Sequence, residues 1–284
     1  MRFLNPKVEE KIVFLSLFLS TLVIVAPVIL VIGIIVSRGL SVISWQFLTT
    51  MPRMGMRAGG IFPAIVGTVY LVGGTLLFAL PVGIFSAIYL SEYSKRNWLT
   101  RLIELAIVNL AGVPSVVYGL FGLGLFVVFL RLGASILAGS LTLAVMVLPV
   151  IITASREALQ SVPKSFREVS YSLGATRWQT IRHAVLPHAL PGILTGTVLS
   201  ISRAAGETAP ILFTVAAFYL PRLPNSIFDQ AMALPYHLYV LSTQVPNVRI
   251  ELQYGTALVL VGLIVITNLF AAVIRSYFRV RKQW

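Results

Sequence analysis

Two oppositely charged residues, Arg203 and Glu207, stand midway along a long apolar run that covers residues 189–218. Ionisable residues at membrane depth are costly, and they usually face a bundle interior or a water-filled path. A spacing of four places the two side chains on one face of a helix, where they can pair. Because an arginine offers an oxyanion a planar, permanently charged fork, this pair predicts the passage of an anion, with Glu207 holding Arg203 in place.

The residues around this pair predict an interrupted helix. Only small residues lie between Arg203 and Glu207, and Pro210 cannot donate a backbone hydrogen bond, which frees a carbonyl near Gly206. A kink or an unwound turn here exposes polar backbone and adds Thr208 to the predicted path. A second interpretation stays open, because a buried salt bridge can also fix helix register without touching any ligand.

Enzymatic chemistry at membrane depth needs paired acids or a serine with a histidine, and neither stands in the apolar runs. Glu207 is the only acid deep in one of them, and His183, His188 and His237 lie outside that depth. The histidines have no metal-binding spacing and the chain has no cysteine. We therefore predict no catalytic residue and no metal site.

A short basic segment, residues 168–187, separates two strongly apolar runs. Gly174 tolerates the positive φ of a sharp turn, so it can join two short helices. Together with Ala175 it forms a turn without large side chains, which can fit into a groove on a partner protein. Pro187 suits the first turn of the next helix, where its missing N–H costs nothing. On pattern alone, the segment can also be an amphipathic linker that lies on the lipid surface.

The spacing of this segment resembles the cytoplasmic EAA loop of binding-protein-dependent ABC importer permeases. The family pattern is present in its acid, its Gly-Ala pair and its closing Leu-Pro, while Val169, Ser170 and Ala184 replace residues that are usual there. The resemblance implies an all-α membrane protein of the type I, MetI-like architecture. It also implies a coupling helix that docks into a cleft on an ATPase. The residues implied in that docking are Glu168, Leu173, Gly174, Ala175 and Thr176.

Three further runs are similar to the PstA subfamily of phosphate importer permeases. They are RAAGETAPILFT at 203–214, VPSVVYGLFGL at 113–123, and Gly-Gly-Ile at 59–61 followed by residues 65–68. The resemblance implies inward passage of phosphate. It also implies a homologous second permease subunit that forms a heterodimer, an ATPase dimer on the cytoplasmic face and an external phosphate-binding protein. Because related importers share the EAA loop, molybdate, sulfate and amino acids remain alternative substrates.

The composition is that of a polytopic membrane protein. Of the 284 residues, 57% are apolar and 11% are charged, against about 25% charged residues in a soluble domain. The formal net charge of +13 does not predict nucleic-acid binding, because the lysines and arginines lie at the ends of apolar runs and not on one basic face.

The sequence contains no phosphate-binding loop of the G-x-x-x-x-G-K-[ST] type. We therefore expect no cofactor bound by this chain, and ATP used by a partner subunit. The alternative that needs no ATPase is a self-contained, ion-coupled carrier.

Six apolar runs are long enough to cross about 30 Å of hydrocarbon. They cover residues 12–37, 62–90, 99–130, 136–155, 189–218 and 252–277, and the third is expected to break near Gly112 and Pro114. We predict a first helix and external loop over residues 1–58, a permease domain over 59–278 with a cytoplasmic coupling loop at 156–188, and a basic tail at 279–284.

The distribution of positive charge predicts the orientation of these spans. With the N-terminus in the cytoplasm, most lysines and arginines fall on the inner side, as the positive-inside rule requires. Both termini and the 168–187 segment are then cytoplasmic, and the resemblance implies the plasma membrane of a prokaryote. At the inner end of the third span, Arg101 and Glu104 are three residues apart and are expected to pair.

Overall fold

The computed structural model describes residues 6–95 and 97–280, and they form a bundle of long helices. Within these residues, five helices are long and apolar enough to cross a membrane, or six if one strongly bent pair counts as a single span. The first, α1 (Pro6–Gly39), keeps its apolar side chains exposed. The all-α membrane fold that the sequence predicts is confirmed. From residue 281 onward, the predicted basic tail lies outside the described residues.

The other helices follow the predicted apolar runs. In chain order, they are α2 (Trp45–Thr49), α3 (Phe62–Ile88), α4 (Trp98–Ala111), α5 (Ser115–Gly122), α6 (Ile136–Ser161), α7 (Lys164–Ser172), α8 (Arg177–Thr180), α9 (Leu186–Gly206), α10 (Ala209–Thr214), α11 (Leu234–Thr243) and α12 (Ile250–Val280). α3, α5 and α8 are extended by π-helical turns at Tyr89–Tyr93, Leu123–Phe129 and Ile181–Val185. Several helices run past the predicted ends of their spans, because backbone hydrogen bonding continues where the apolar run stops.

A short hairpin precedes the second span on the predicted external side. Its strands, β1 (Pro52–Arg53) and β2 (Ala58–Gly59), pair antiparallel. Gly59 has a φ of +89°, and a Cβ there would lie 2.4 Å from the Met51 carbonyl oxygen. Only glycine combines that φ with so close an approach, which explains the glycine at this position.

The third span is broken where the sequence predicts, and the break is sharper than a kink. α4 and α5 are bent by 104° around residues 112–114, so residues 99–130 do not form one straight crossing. Pro114 fixes its own φ and disfavours helical geometry in the residue before it. The Tyr118 hydroxyl donates a 2.7 Å hydrogen bond across the bend to the carbonyl of Leu110 in α4.

Small residues let the central helices approach closely. α6 packs along both α3 and α9. Where α9 crosses α6, a Cβ on Gly192 would lie 2.5 Å from the Cβ of Ala158, and one on Gly196 would lie 2.4 Å from the Cβ of Ala154. These contacts fix α9, which has the predicted ionic pair near its end, against the middle of the bundle.

The buried apolar side chains divide into two clusters. The larger one fills the bundle and its cap on the predicted external side, which we call the external cap. The smaller lies on the predicted cytoplasmic side, and we call it the cytoplasmic cluster. It joins the ends of α3, α6 and α9 on that side to the π-helical turn after α8. Its buried members are Ala87, Ile88, Ala158, Leu159, Val162, Ile181, Val185, Ala189 and Ile193. The cytoplasmic cluster therefore connects residues 168–187 directly to three membrane helices.

The external cap contains a buried histidine, His237 in α11, which is outside the candidate membrane helices. It is 3% exposed, and its Nδ1 atom has no hydrogen-bond partner among the described residues. Burial lowers the pKa of His237 to about 4, because the imidazolium loses its hydration. The folded protein therefore holds this ring in its neutral form.

We expect acid to destabilise the fold through His237. The unfolded chain binds the proton at a pKa near 6.5 and the folded chain only near 4, so stability is lost as the pH falls through that interval. Between pH 7 and pH 5 the loss is about 2 kcal/mol. Thermal unfolding of purified His237→Gln in detergent should show a weaker pH dependence than the wild type. Equal pH dependence of the two proteins would contradict this role.

Candidate functional site

The fifth membrane span is interrupted, as the residues around its ionic pair predict. α9 stops at Gly206, and Glu207 has an extended backbone with φ −75° and ψ 133°. Thr208 is the N-cap of the short helix α10, which has Pro210 in its first turn. The apolar run over residues 189–218 is therefore not a single helix. The unwound turn that the sequence predicts at this place is confirmed.

Arg203 and Glu207 are brought together at this break, although they do not share one helix. Arg203 Nε lies 3.4 Å from Glu207 Oε1, and the two side chains are 34% and 18% exposed. Within the described part of the chain, the terminal nitrogens of Arg203 make no hydrogen bond. A single long contact leaves most of the guanidinium fork available to an anion.

Thr208 lies half-buried beside the ionic pair, and its carbonyl accepts a 3.1 Å hydrogen bond from Leu212 N–H. The alanines before the break face the protein, since Ala204 and Ala205 are 4% and 1% exposed. Ala204 and Ala205 therefore pack into the bundle, while Arg203, Glu207 and Thr208 are only partly buried.

The break in the fifth span packs against the half of the third span that follows its own break. A Cβ on Gly119 in α5 would lie 3.0 Å from the carbonyl oxygen of Ala209 and from Cα of Pro210. Tyr118, in the same helix, lies within electrostatic range of Arg203. Discontinuous helices of this kind expose backbone polar groups only where they line a cavity or pack on protein. Two interrupted spans therefore meet at the predicted path.

The predicted coupling residues lie at the opposite end of α9, about 30 Å away along its axis. Gly174 has a φ of +81° and separates α7 from α8. Leu173 is the C-cap of α7, and the Ala175 N–H donates to the Ser170 carbonyl at 3.2 Å. Two short helices joined at a glycine are what the sequence predicts for this segment.

The second piece of the loop starts with a reciprocal cap. The Thr176 hydroxyl accepts from Gln179 N–H, while the Gln179 side chain accepts from Thr176 N–H at 2.8 Å. The two pieces are also tied together by a 2.9 Å hydrogen bond between the hydroxyls of Ser170 and Thr180. Ser170, which departs from the family pattern, thus contributes a contact that alanine could not make.

The face of the loop around Gly174 is exposed and partly apolar. Leu173 is 82% exposed and Val169 is 62% exposed, and Glu168 is exposed beside them. Large apolar side chains displayed on a polar surface indicate a protein or membrane contact. In the sequence, Val169 is distinguished only by its departure from the family pattern, and nothing there predicts its position on this exposed face.

One predicted ion pair is wrong. In the structure, Glu104 in α4 pairs with Arg156 in α6 at 2.7 Å, and no pair with Arg101 occurs among the described residues. The i,i+3 spacing considers one helix only, whereas the bend after α4 turns Glu104 toward its neighbour α6. Among residues 6–95 and 97–280, no group of three acidic or histidine side chains is arranged to hold a metal ion.

Comparison with known proteins identifies the family. Residues 79–282 match the model of the binding-protein-dependent transport system inner membrane component. The chain belongs to this family of ABC importer permeases.

Two relatives of this permease match nearly its whole length. The phosphate transport system permease protein PstA 1 of Mycobacterium tuberculosis is 34% identical over 277 residues, covering 96% of this chain and 90% of the relative. A probable ABC transporter permease protein of Bacillus subtilis, YqgI, is 32% identical over 276 residues, covering 92% of this chain and 94% of the relative.

The permease also shares its fold with a solved transporter. A chain of a bacterial ABC transporter involved in the import of the acidic polysaccharide alginate superposes with a TM-score of 0.70 at 15% identity, covering 95% of this permease and 97% of that chain. The six-span, type I permease architecture predicted from the sequence is thereby confirmed.

Proposed function

We propose that this permease is a membrane subunit of an ATP-driven phosphate importer, and that it passes phosphate inward by alternating access. The main support is the half-exposed Arg203 fork at the break of the fifth span, which suits a phosphate oxyanion. The likeness of the chain to phosphate transport permeases over most of its length supports the same substrate.

Arg203, Glu207 and Thr208 line the translocation path in this proposal. Glu207 takes only one contact from Arg203 at 3.4 Å, so it orients the guanidinium without saturating it. The negative charge of Glu207 also keeps an anion from being held too tightly, because passage requires release as well as binding. The second interpretation, a pair that only fixes helix register, predicts no effect of these residues on substrate selectivity.

In this proposal, ATP hydrolysis acts on the permease at the opposite end of the molecule. Glu168, Leu173, Gly174, Ala175 and Thr176 dock into a partner ATPase, and ATP hydrolysis there displaces the loop. The cytoplasmic cluster passes the movement to α3, α6 and α9, since all of them contribute buried side chains to it. This chain makes and breaks no bond, binds no cofactor and leaves ATP to the ATPase subunit.

The assembly that we propose contains a homologous second permease subunit forming a heterodimer, an ATPase dimer on the cytoplasmic face and an external phosphate-binding protein. The extensive exposed apolar surface supports contacts with membrane lipid and a second permease. The helix α1 contributes much of this surface, because most of its apolar side chains are exposed. We place the protein in a prokaryotic plasma membrane with both termini in the cytoplasm, where the docking loop meets ATP.

The experiment that tests this proposal is uptake of radiolabelled phosphate by cells that lack this chain and cannot interconvert ATP and the proton gradient. Wild-type chain should restore uptake, and depletion of ATP should abolish it while a protonophore leaves it intact. Uptake that follows the proton gradient would instead favour the ion-coupled carrier. Restored uptake of sulfate, molybdate or an amino acid, without phosphate, would contradict the substrate.

A further inference from the structure

Arg167, which directly precedes Glu168 in α7, is bonded through its side chain to two other elements at once. Its Nε and Nη2 donate to the two carboxylate oxygens of Glu92 at 3.1 and 2.6 Å. Its Nη1 donates to the Val162 carbonyl and its Nη2 to the Leu159 carbonyl, both at 2.9 Å. The guanidinium is thus held by four directional, charge-assisted hydrogen bonds.

The partners of Arg167 belong to two different membrane spans. Glu92 lies in the π-helical turn that ends the second span. Leu159 lies in the last turn of α6 and Val162 is its C-cap, so their carbonyls have free acceptor capacity at the helix end. We call these four residues the cytoplasmic clamp. It fixes the start of the coupling loop to the inner ends of the second and fourth spans.

The clamp is shielded from water. The side chains of Arg167 and Glu92 are only 17% and 9% exposed, whereas those of another interhelical ion pair, Arg156 with Glu104, are 30% and 32% exposed. That second pair joins α6 to α4 and does not include the loop. A shielded, bidentate pair is less screened by water and ions than an exposed one.

The apolar contacts beneath the loop cannot set its orientation by themselves. The cytoplasmic cluster attaches the loop to α3, α6 and α9, but hydrophobic contact is non-directional and lets packed surfaces slide. The planar fork of Arg167 meets a carboxylate on one side and helix-end carbonyls on the other. A rotation of α7 relative to α6 would break bonds on at least one side.

We propose that Arg167 and Glu92 are positioning residues that make the coupling loop move as one body with the second and fourth spans. This inference rests on the proposed function, because it assigns the clamp to the transmission of ATPase movement. Without the clamp, the loop still docks and ATP is still hydrolysed, but α7 turns without displacing the spans.

The test uses distances between two labels in the assembled transporter. Since the chain has no cysteine, Ser165→Cys in α7 and Thr153→Cys in α6 give spin labels at two unique, exposed sites. We expect pulsed dipolar spectroscopy to give one narrow distance, the same without nucleotide and with MgATP and vanadate. In Arg167→Lys and Glu92→Gln, the distance should broaden and change with nucleotide.

The same variants should lose coupling. Phosphate imported per ATP hydrolysed should fall by about five- to 150-fold, the usual range of coupling between sites, at equal membrane levels and equal ATPase copurification. Lysine keeps the positive charge of Arg167 but lacks its planar, bidentate guanidinium. This variant therefore separates the positioning role from the effect of charge alone. Arg156→Lys is the matched control, and it should keep the narrow distance and the wild-type ratio.

Several results would overturn the inference. One is a wild-type distance that changes with nucleotide, and another is a narrow distance with a normal ratio in both Arg167→Lys and Glu92→Gln. If one of these variants does not reach the membrane, the label distance and the transport ratio of the other variant test the inference. Failure of the wild type to import phosphate, with label distances as expected, would contradict the proposed substrate and leave the clamp supported.

Discussion

Replacing Gly174 with valine should abolish phosphate uptake while the chain still folds and reaches the membrane. The φ of +81° at this position is strained for any residue with a Cβ, and most strained for a β-branched one. Apart from the two neighbouring residues, no atom lies within 4 Å of a Cβ built there, so the space around this position is open. The valine side chain would instead project from the turn that is proposed to bind the ATPase.

We expect uptake to fall about 30-fold or more, because loss at the centre of a docking surface costs about 2 kcal/mol or more. The measurement is initial uptake at matched membrane levels, together with copurification of the ATPase. Gly133→Val is the matched control, since Gly133 also has a positive φ, +68°, and open space around it, but it lies in the loop before α6. Equal losses in both variants would show that backbone strain, and not docking, is responsible.

Replacing Arg203 with alanine should remove phosphate transport with little effect on stability. Its only ionic contact among the described residues is the 3.4 Å approach to Glu207, so the fold loses little. A passing oxyanion would lose a charged hydrogen-bonding partner, which costs about 2–5 kcal/mol when the pair is desolvated. Initial uptake of phosphate should therefore fall by about 30-fold or more.

Three comparisons separate a role in the path from a role in helix register. Arg222→Ala removes the same side chain from an exposed external loop and should leave uptake normal. Arg203→Lys should retain the fold and part of the uptake, because it keeps the charge without the fork. Glu207→Gln frees the guanidinium and should slow the release of phosphate. Normal uptake in Arg203→Lys together with Arg203→Ala would remove Arg203 from the path.

The features that the sequence predicts correctly depend on local chemistry. Apolar runs locate the spans because lipid excludes polar side chains along the whole run. Gly174 and Pro210 locate the turn in the loop and the break after α9, because each acts on its own backbone. The turn and the break can therefore both be predicted from the residues that form them.

The features that the sequence does not predict depend on helices far apart in the chain. Glu92 and Arg167 are 75 residues apart, and nothing in the spacing of either residue points to the other. Glu104 was assigned to a neighbour in its own helix, while the bend after α4 directs it to Arg156.

The most direct test of the central claim is transport by the assembled importer in proteoliposomes. Labelled phosphate and the binding protein are supplied on the external side, and ATP is supplied on the side of the 168–187 loop. We predict that phosphate accumulates only with ATP, and that Gly174→Val in this chain stops accumulation. If no phosphate accumulates with ATP, while sulfate, molybdate or an amino acid does under the same conditions, phosphate is not the substrate.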